Sequence, residues 1–564
     1  MLYHLGFSWI PGGFLGVDLF FVISGYVITR LLLDSIQRSG GLDLRAFYKA
    51  RIRRLFPPLV FMIFVTIIYI SIWAPETMRR FVSDSPFALF GGMFALFGGM
   101  NWWLVFRHTD YFDTISRPPL LQHTWSLGVE AQFYLIWPLI LLLVLRQFGK
   151  AKIPGAALFI AAISGIALLL VSFEVDAANA SQVSHVYFGT DTHSIGLFLG
   201  AALAVSWVPQ NLQEQVNRRA QDFIDGIGVI GFVGLLGTFL LVNENDPTLY
   251  KLAFPLAGLF GCAILTSIVH PASRFAPMLS SKVAVWIGER SYAIYLWHWV
   301  VFQVTRPAVD LEGSPWALYA LRILVVFALA DISLRLVELP VRSGLVEYWF
   351  KGMKYRTKNV QRRQKITLVA SILLLILGTS YISANAISQS DKEMAIIKRQ
   401  LEQPTQPTNP TFTQQGGLWV TGDSVILGIH YELDARSHIA IINARVGRQA
   451  PELIEVMRAD KANALESTVI FNLGNNNKLT SDQVLAIFEE VKNQPRIIVV
   501  NTAVPRGWRD ENNALIAQYA ALYGATVIDW AAISAGHPEY FAPDGVHLVP
   551  AGVRAYVDAI TATL

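Results

Sequence analysis

Ser424 lies in Gly422-Asp-Ser-Val-Ile-Leu-Gly, and His547 lies in Asp544-Gly-Val-His-Leu near the other end of the same segment. A serine hydroxyl is a weak nucleophile until a neighbouring base takes its proton. His547 is the candidate base, and Asp544 would orient its imidazole and stabilise it once protonated. Between them stand Val446-Gly447-Arg448-Gln449 and Gly474-Asn-Asn476-Asn. The backbone N–H groups of Gly447 and Ser424, with the Asn476 amide, are the expected oxyanion-hole donors. Singly, each stretch is ordinary, since Gly-Asp-Ser is a common helix cap and Asp-Gly a common turn. Together and in this order they predict acyl chemistry at Ser424. A triad of this kind needs no metal, and the sequence shows no metal-ligand cluster.

Such residues need a scaffold that ends several strands beside one another. From about residue 417, short apolar runs at 418–421, 439–442, 468–473, 497–501 and 526–529 read as strands. Helical stretches near 449–458, 481–492, 511–523 and 551–563 separate or follow them. This alternation predicts an α/β domain with a parallel sheet covered on both faces. Each chemical stretch except the last directly follows a predicted strand. A serine at a strand-to-helix turn also gains the positive end of the helix dipole. Trp508 and Trp530 are placed either to stack on a glycan or to fill the core.

The rest of the chain has a different character. Of 564 residues, 53% are hydrophobic and only 15% charged, against roughly 25% in a soluble protein. The mean hydropathy is +0.43. Apolar segments occur at about 14–34, 55–74, 86–106, 128–145, 153–173, 194–208, 224–243, 250–270, 286–305, 315–338 and 366–386. Most have the length a spanning helix needs, which predicts a multi-pass helical domain in a lipid bilayer. Cys262 is the single cysteine, so no disulfide braces either part. No cleavable signal peptide is expected. The net charge of +4 is small and its basic residues flank apolar segments. That pattern marks topology, and no nucleic-acid partner is expected.

Orientation follows from the basic clusters. Lys351, Lys354, Arg356, Lys358, Arg362, Arg363 and Lys365 precede the last apolar segment without an intervening acid. They should stay cytoplasmic, which sends the segment after about residue 391 outside the cell. The organisation expected is a membrane domain at 1–345, a basic loop and last helix at 346–390, a linker at 391–416 and an outer domain at 417–564. The linker's Gln403-Pro-Thr-Gln-Pro-Thr-Asn-Pro-Thr reads as an extended spacer. The loops around 45–54 and 146–152 are both basic, yet three apolar segments separate them. One of the three is therefore expected not to cross. The best candidate is 86–106, with its Gly91-Gly92 and Gly98-Gly99 pairs, because re-entrant backbone is tolerated inside protein.

Charged and polar residues at membrane depth mark a functional interior or a structural pair. Those in or beside the apolar segments include His4, Asp18, His123, Glu130, His193, Glu289, Arg290, His298, Arg335 and Glu338. His123 and Glu130 are expected in one polar pocket, and Arg335 with Glu338 as an i,i+3 ion pair. Arg51, Arg53 and Arg54 are either topology anchors or phosphate contacts, since guanidinium suits phosphate.

These motifs carry a resemblance. Gly16-Val-Asp-Leu-Phe-Phe-Val-Ile-Ser-Gly25, Phe47-Tyr-Lys-Ala-Arg-Ile-Arg-Arg-Leu-Phe-Pro57, the stretch from His123 to Tyr134 and Ser333-Leu-Arg-Leu-Val-Glu-Leu-Pro340 resemble the integral-membrane acyltransferase-3 family. The segment at 417–564 resembles the SGNH hydrolase family, whose third block places the functional asparagine at Asn476. The combination is similar to the peptidoglycan O-acetyltransferases of Gram-positive bacteria. The resemblance implies acetyl-CoA as a donor substrate with no bound cofactor, His4 as a catalytic histidine, and Asp18, Arg51, Arg54, His123 and Glu130 as membrane-domain site residues. It also implies peptidoglycan strands as acceptor, at the C6 hydroxyl of N-acetylmuramic acid. Two departures stand out. Only three residues precede His4 where the family carries most of a helix, so the first helix is expected to be truncated. His193 stands where relatives often have arginine.

The expected function is an acetyl relay from cytoplasmic acetyl-CoA through Ser424 to a wall glycan, at the bacterial cell membrane. Alternatives are acetylation of a lipopolysaccharide or exopolysaccharide sugar, an outward carbohydrate esterase, or a transporter.

Overall fold

A computed structural model describes residues 1–7, 9–73, 91–106, 119–174, 180–242, 249–306, 311, 314–402, 417–445, 448–464, 466–476, 478–506, 508–542 and 545–564. The main run of the chain divides between Ile387 and Ser388 into two compact units. The proline-rich stretch of the expected linker lies outside the described residues.

The first unit is helical: α1 (Gly16–Ser39), α2 (Leu44–Trp73), α3 (Trp125–Phe148), α4 (Ile153–Glu174), α5 (Ile195–Ser206), α6 (Arg218–Leu241), α7 (Phe254–Val269), α8 (Lys282–Val304), α9 (Pro315–Ser333) and the part of α10 (Lys358–Glu402) up to Ile387, with short pieces between them. Among the described residues, eight helices are long and apolar enough to cross a membrane. α5 is too short to be one of them. α8 is not one of them either, because Glu289, Arg290 and His298 lower its hydropathy.

Without water to drive them together, membrane helices associate through close packing of small residues. A Cβ on Gly25 of α1 would overlap the Leu197 carbonyl of α5, and one on Gly200 of α5 would overlap the Val22 carbonyl of α1. This pair of glycines lets the two backbones touch. It brings the polar end of α1 against the segment that carries His193.

The segment at 86–106 does not form one helix. Its described part makes two short helices, Gly91–Leu96 and Met100–Phe106, broken where Gly98 takes a φ of +71°. Neither is near the roughly 20 residues a span requires. Gln132 of α3 donates to the Gly98 carbonyl (2.9 Å) and to Asn101 Oδ1 (2.9 Å), and Asn101 donates to the Phe188 carbonyl (3.1 Å). Backbone polarity freed by the break is thus met by protein, as it must be away from water.

The expected Arg335–Glu338 pair is corrected. Leu334–Glu338 is a π-helical turn, whose i→i+5 bonds carry residues three apart onto different faces. Arg335 instead meets Asp331 at 2.8 Å and Glu338 meets Arg342 at 3.0 Å, each four residues away. Asp331 also takes Arg290 at 2.7 Å, tying α9 to α8.

The second unit is α/β. Five parallel strands, β1 (Leu418–Gly422), β2 (Ile439–Ala444), β3 (Thr468–Asn472), β4 (Arg496–Val500) and β5 (Thr526–Ile528), stand in the order β2-β1-β3-β4-β5. Alternate residues face opposite layers. Val420, Ile470, Ile498 and Val500 pack under α11 (Ser424–Asp434) and the last helix of the unit, Pro550–Thr563. Trp419, Val469, Phe471 and Val499 pack under helices Ala450–Asp460, Ser481–Val491 and Arg509–Leu522. Strand order reverses between β1 and β3. In such sheets the crevice at the strand carboxyl ends at this point is where ligands bind.

Candidate active sites

Ser424 stands at that crevice, as the first residue of α11 directly beyond β1. Asp423 caps the helix, its Oδ1 accepting from the Val425 N–H at 2.9 Å. A Cβ at Gly422 would overlap the Asn472 amide oxygen, so glycine lets β1 and the end of β3 meet here. Asn472 then both donates to Asp423 Oδ1 (2.9 Å) and accepts from the Asp423 N–H (3.1 Å). Asn475 and Asn476 donate to Asp423 Oδ2 at 2.9 and 3.0 Å. Asp423 is therefore a buried hub with four N–H donors on its two oxygens, and it locks the turn that presents Ser424. Burial pushes its carboxyl above the usual range, while Asn472, the Val425 N–H, Asn475 and the charge of His547 pull it back.

Asn476 also donates to the Arg448 carbonyl at 2.9 Å. Both of its amide protons are thus held, and an oxyanion would take the place of one partner. The buried Arg448 guanidinium is itself fixed by the Gly422 carbonyl (3.1 Å), the Asn443 carbonyl (2.5 Å) and Asn443 Oδ1 (2.8 Å). Gly447 and Asp544 lie outside the described residues.

His547 sits in a tight return. Ala542 N–H donates to the His547 carbonyl (2.7 Å), Phe541 and Leu548 form an antiparallel bridge, and Gly545 takes a φ of +69°. Its neighbour Val546 lines a small cavity with Val425 and Asn475. The flanks of the first, third and last sequence blocks thus meet at one place. Trp530 is 3% exposed and packs edge-on to Tyr556. It is core, which leaves Trp508 as the tryptophan of the two with a partly exposed ring, its Nε1 donating to the Gly474 carbonyl.

The membrane unit holds a second polar site, a cavity of about 200 Å³. Arg51 and Arg54 of α2, Ser24 of α1, Glu130 and Tyr134 of α3 and Tyr295 of α8 are among its walls. Ser24 and Tyr134 hydroxyls stand 2.7 Å apart and both approach Glu130. Of the three arginines, Arg53 turns away to an ion pair with Glu347.

His123 does not join Glu130 there. Seven residues of helix advance about 10 Å, which leaves His123 among His4, Tyr295 and His298. The His4 Nδ1 and His298 Nε2 atoms are 3.0 Å apart, and the His123 ring lies edge-on to His298 at 6.0 Å. Neither His123 ring nitrogen makes a hydrogen bond of ordinary geometry, although the Leu296 backbone lies close by. Tyr295 links the two places, since it lines the cavity while its hydroxyl donates to the His123 carbonyl at 2.5 Å. Asp18 lies apart, buried against His193 at 3.2 Å. Among the described residues no cluster of three or more His, Cys, Asp or Glu could hold a metal.

Three placements were not legible beforehand: the hub role of Asp423, its partner Asn472, and the pairing of His298 with His4. An aspartate before a helix reads as a cap, and an asparagine ending an apolar strand was the available signal for Asn472.

Comparison with known proteins bears on both units. Residues 2–335 match the acyltransferase domain of the acyltransferase-3 family. The chain belongs to this family. It is accordingly a multi-pass membrane acyltransferase, and the family match covers His4, Asp18, the cavity and the histidine cluster. Relatives extend through the second unit as well. The Listeria monocytogenes protein named peptidoglycan O-acetyltransferase OatA is 33% identical, over 100% of this chain and 95% of its own length. The Staphylococcus aureus (strain MRSA252) O-acetyltransferase OatA is 32% identical, over 100% and 93%. The Bacillus subtilis protein named putative peptidoglycan O-acetyltransferase YrhL is 29% identical, over 98% and 94%. The acyltransferase thus shares with these proteins both the helical unit and the α/β unit.

Proposed function

We propose that the chain moves an acetyl group from cytoplasmic acetyl-CoA across the membrane to Ser424, and from there to the C6 hydroxyl of N-acetylmuramic acid in peptidoglycan. The observation that carries this reading is the joining, in one chain, of an acyltransferase unit to a Ser424 site at the switch point of a parallel sheet. Full-length relatives named for peptidoglycan O-acetylation support the acceptor.

The donor end rests on the cavity. Arg51 and Arg54 offer cations for the phosphates of acetyl-CoA, and guanidinium matches phosphate in bidentate fashion. The basic first turns of α2 that carry them belong on the cytoplasmic side. By the same rule, the basic residues before and at the start of α10 support an outer location for the second unit.

At the outer end His547 takes the Ser424 proton as Oγ attacks the acetyl carbonyl. The new C–O bond forms, the bond to the carrier breaks, and the proton leaves with the carrier. The glycan hydroxyl then attacks the acetyl-serine, gives its proton to His547, and Ser424 Oγ recovers that proton as it departs. Asp544 would hold His547, and the Ser424 and Gly447 N–H groups with Asn476 would hold the oxyanion.

The test is base-labile acetate released from purified wall glycan of cells carrying the wild-type or the Ser424→Ala chain. Wild-type cells should release it and the variant should not. Equal release from both would defeat the serine relay, and no release of acetate from peptidoglycan in either would defeat the acceptor.

A further inference from the structure

The histidine pair in the membrane unit has an internal logic that fixes where its protons sit. His298 Nδ1 stands 2.6 Å from the Tyr295 carbonyl oxygen, one turn back on α8. A carbonyl can only accept, so Nδ1 of His298 carries a hydrogen. A neutral imidazole holds one N–H and one lone pair. Nε2 of neutral His298 therefore offers a lone pair, and it faces His4 Nδ1 at 3.0 Å. For that contact to be a hydrogen bond, His4 Nδ1 must donate. Neutral His4 then carries its own lone pair on Nε2.

We infer that His298 is a positioning residue that holds His4 in the tautomer whose Nε2 is basic. The inference rests on the reading of His4 as the catalytic histidine of the membrane unit. The His4 and His298 ring planes are 19° apart, as suits an in-plane N–H···N bond, and Trp299 restrains His4 further by meeting it edge-on at 4.9 Å. His298 is 3% exposed, so water competes little for its Nε2. The same turn of α8 supplies Tyr295, whose side chain forms part of the wall of the arginine-lined cavity. One helix thus connects the cavity with the tautomer of His4. Which nitrogen of a histidine is reactive is set by the bond its other nitrogen makes.

In the step this serves, His4 Nε2 takes the proton of an acceptor hydroxyl while the hydroxyl oxygen attacks the thioester carbonyl of acetyl-CoA. The C–O bond forms and the C–S bond breaks. The proton passes from His4 to the departing thiolate, releasing CoA as the free thiol.

Two near-isosteric replacements separate this role from packing. In His298→Gln the amide oxygen falls near the former Nε2 and can still accept from His4. In His298→Asn the amide nitrogen falls near the former Nδ1 and keeps the bond to Tyr295, but the acceptor for His4 is gone. The full-length chain in lipid vesicles is given acetyl-CoA and a muropeptide acceptor, and thiol release is followed alongside His4→Ala. His298→Gln should retain kcat within about tenfold of wild type, while His298→Asn should lose about a hundredfold or more, the scale of a misplaced general base. KM for acetyl-CoA should stay within about twofold in both, since the cavity is untouched. Equal kcat in the two variants, whether high or low, would overturn the inference. If His4→Ala itself retained wild-type kcat, the underlying reading of His4 would fall instead.

Discussion

The two polar sites of this chain are built in opposite ways. The one in the α/β unit stands on the carboxyl ends of β1 and β3, and backbone turns set most of its geometry. Asp423, Asn472, Asn475 and Asn476 come from two short stretches, and their mutual bonds leave little freedom at Ser424. The membrane site has no such frame. Its cavity takes walls from α1, α2, α3 and α8, and its histidine pair joins residues 294 positions apart. A sheet edge concentrates chemistry in sequence, whereas a helix bundle disperses it.

This contrast is tested most strongly by asking whether the two sites fail independently. Ser424→Ala should reduce wall-glycan acetylation by about a thousandfold or more, the scale of losing a triad nucleophile. It should leave the affinity of the full-length chain for acetyl-CoA within about twofold, measured by equilibrium binding. A large loss of acetyl-CoA affinity would mean that the sites are coupled. Conversely, Arg51→Ala or Arg54→Ala should raise KM for acetyl-CoA by about 10- to 100-fold, since a hydrogen bond to a charged group contributes about 1.5–3 kcal/mol. Arg53→Ala should change it little, because Arg53 is engaged with Glu347. If Arg53→Ala did as much damage as Arg54→Ala, the cavity would be the wrong donor site.

The same contrast explains what could be read from the sequence. Ser424 and Asn476 announce themselves because each lies one turn beyond a run such as Thr468–Asn472, whose apolar period marks a strand. The sheet was legible for the same reason, with a strand 468–473 expected and Thr468–Asn472 found. The partnership of His4 with His298 left no such trace, because nothing local in either helix depends on the other. Single charges were also misread when helix geometry departed from 3.6 residues per turn. Arg335 was expected to meet Glu338, and the π turn handed it to Asp331. The break at Gly98 was legible from its glycine pairs, since only a residue at ease with positive φ ends a helix there.

A smaller effect separates the capping and hub roles of Asp423. The four hydrogen bonds that reach its two carboxylate oxygens all come from N–H donors. Asp423→Asn keeps the shape, but its new NH₂ must face donors from Asn475 and Asn476 or from Asn472. Stranding buried donors costs about 1–3 kcal/mol each. The α/β unit should accordingly lose about 2–4 kcal/mol, read as faster amide exchange in β1 and β3 of the full-length chain. Asp423→Ser, which retains only a cap, should not restore it; full restoration would reduce the hub to a helix cap.

The smallest expected effect concerns pH, and its sign distinguishes this carboxyl from Glu490 and Asp510 of the same unit. Burial is the largest influence on Asp423 and raises its pKa, so the folded state holds that proton more tightly than the unfolded chain does. Its contribution to stability is then fullest below the unfolded value of about 3.9 and declines as pH rises through the folded value, by about 1.4 kcal/mol for each unit between them. Glu490, paired with Lys461 and Arg458, and Asp510, paired with Arg509, are lowered and act in the opposite sense. Asp510 is exposed, as are both cations that meet the partly buried Glu490, and such ion pairs contribute little. The informative quantity is therefore the difference between wild type and Asp423→Asn, from urea midpoints of the α/β unit read by pulse proteolysis of the full-length chain. From about pH 4 upward the advantage of the wild type should shrink and then level off. An advantage that grew with pH instead would mean that the four N–H donors and His547 outweigh burial, and that Asp423 is held as a carboxylate by its hub.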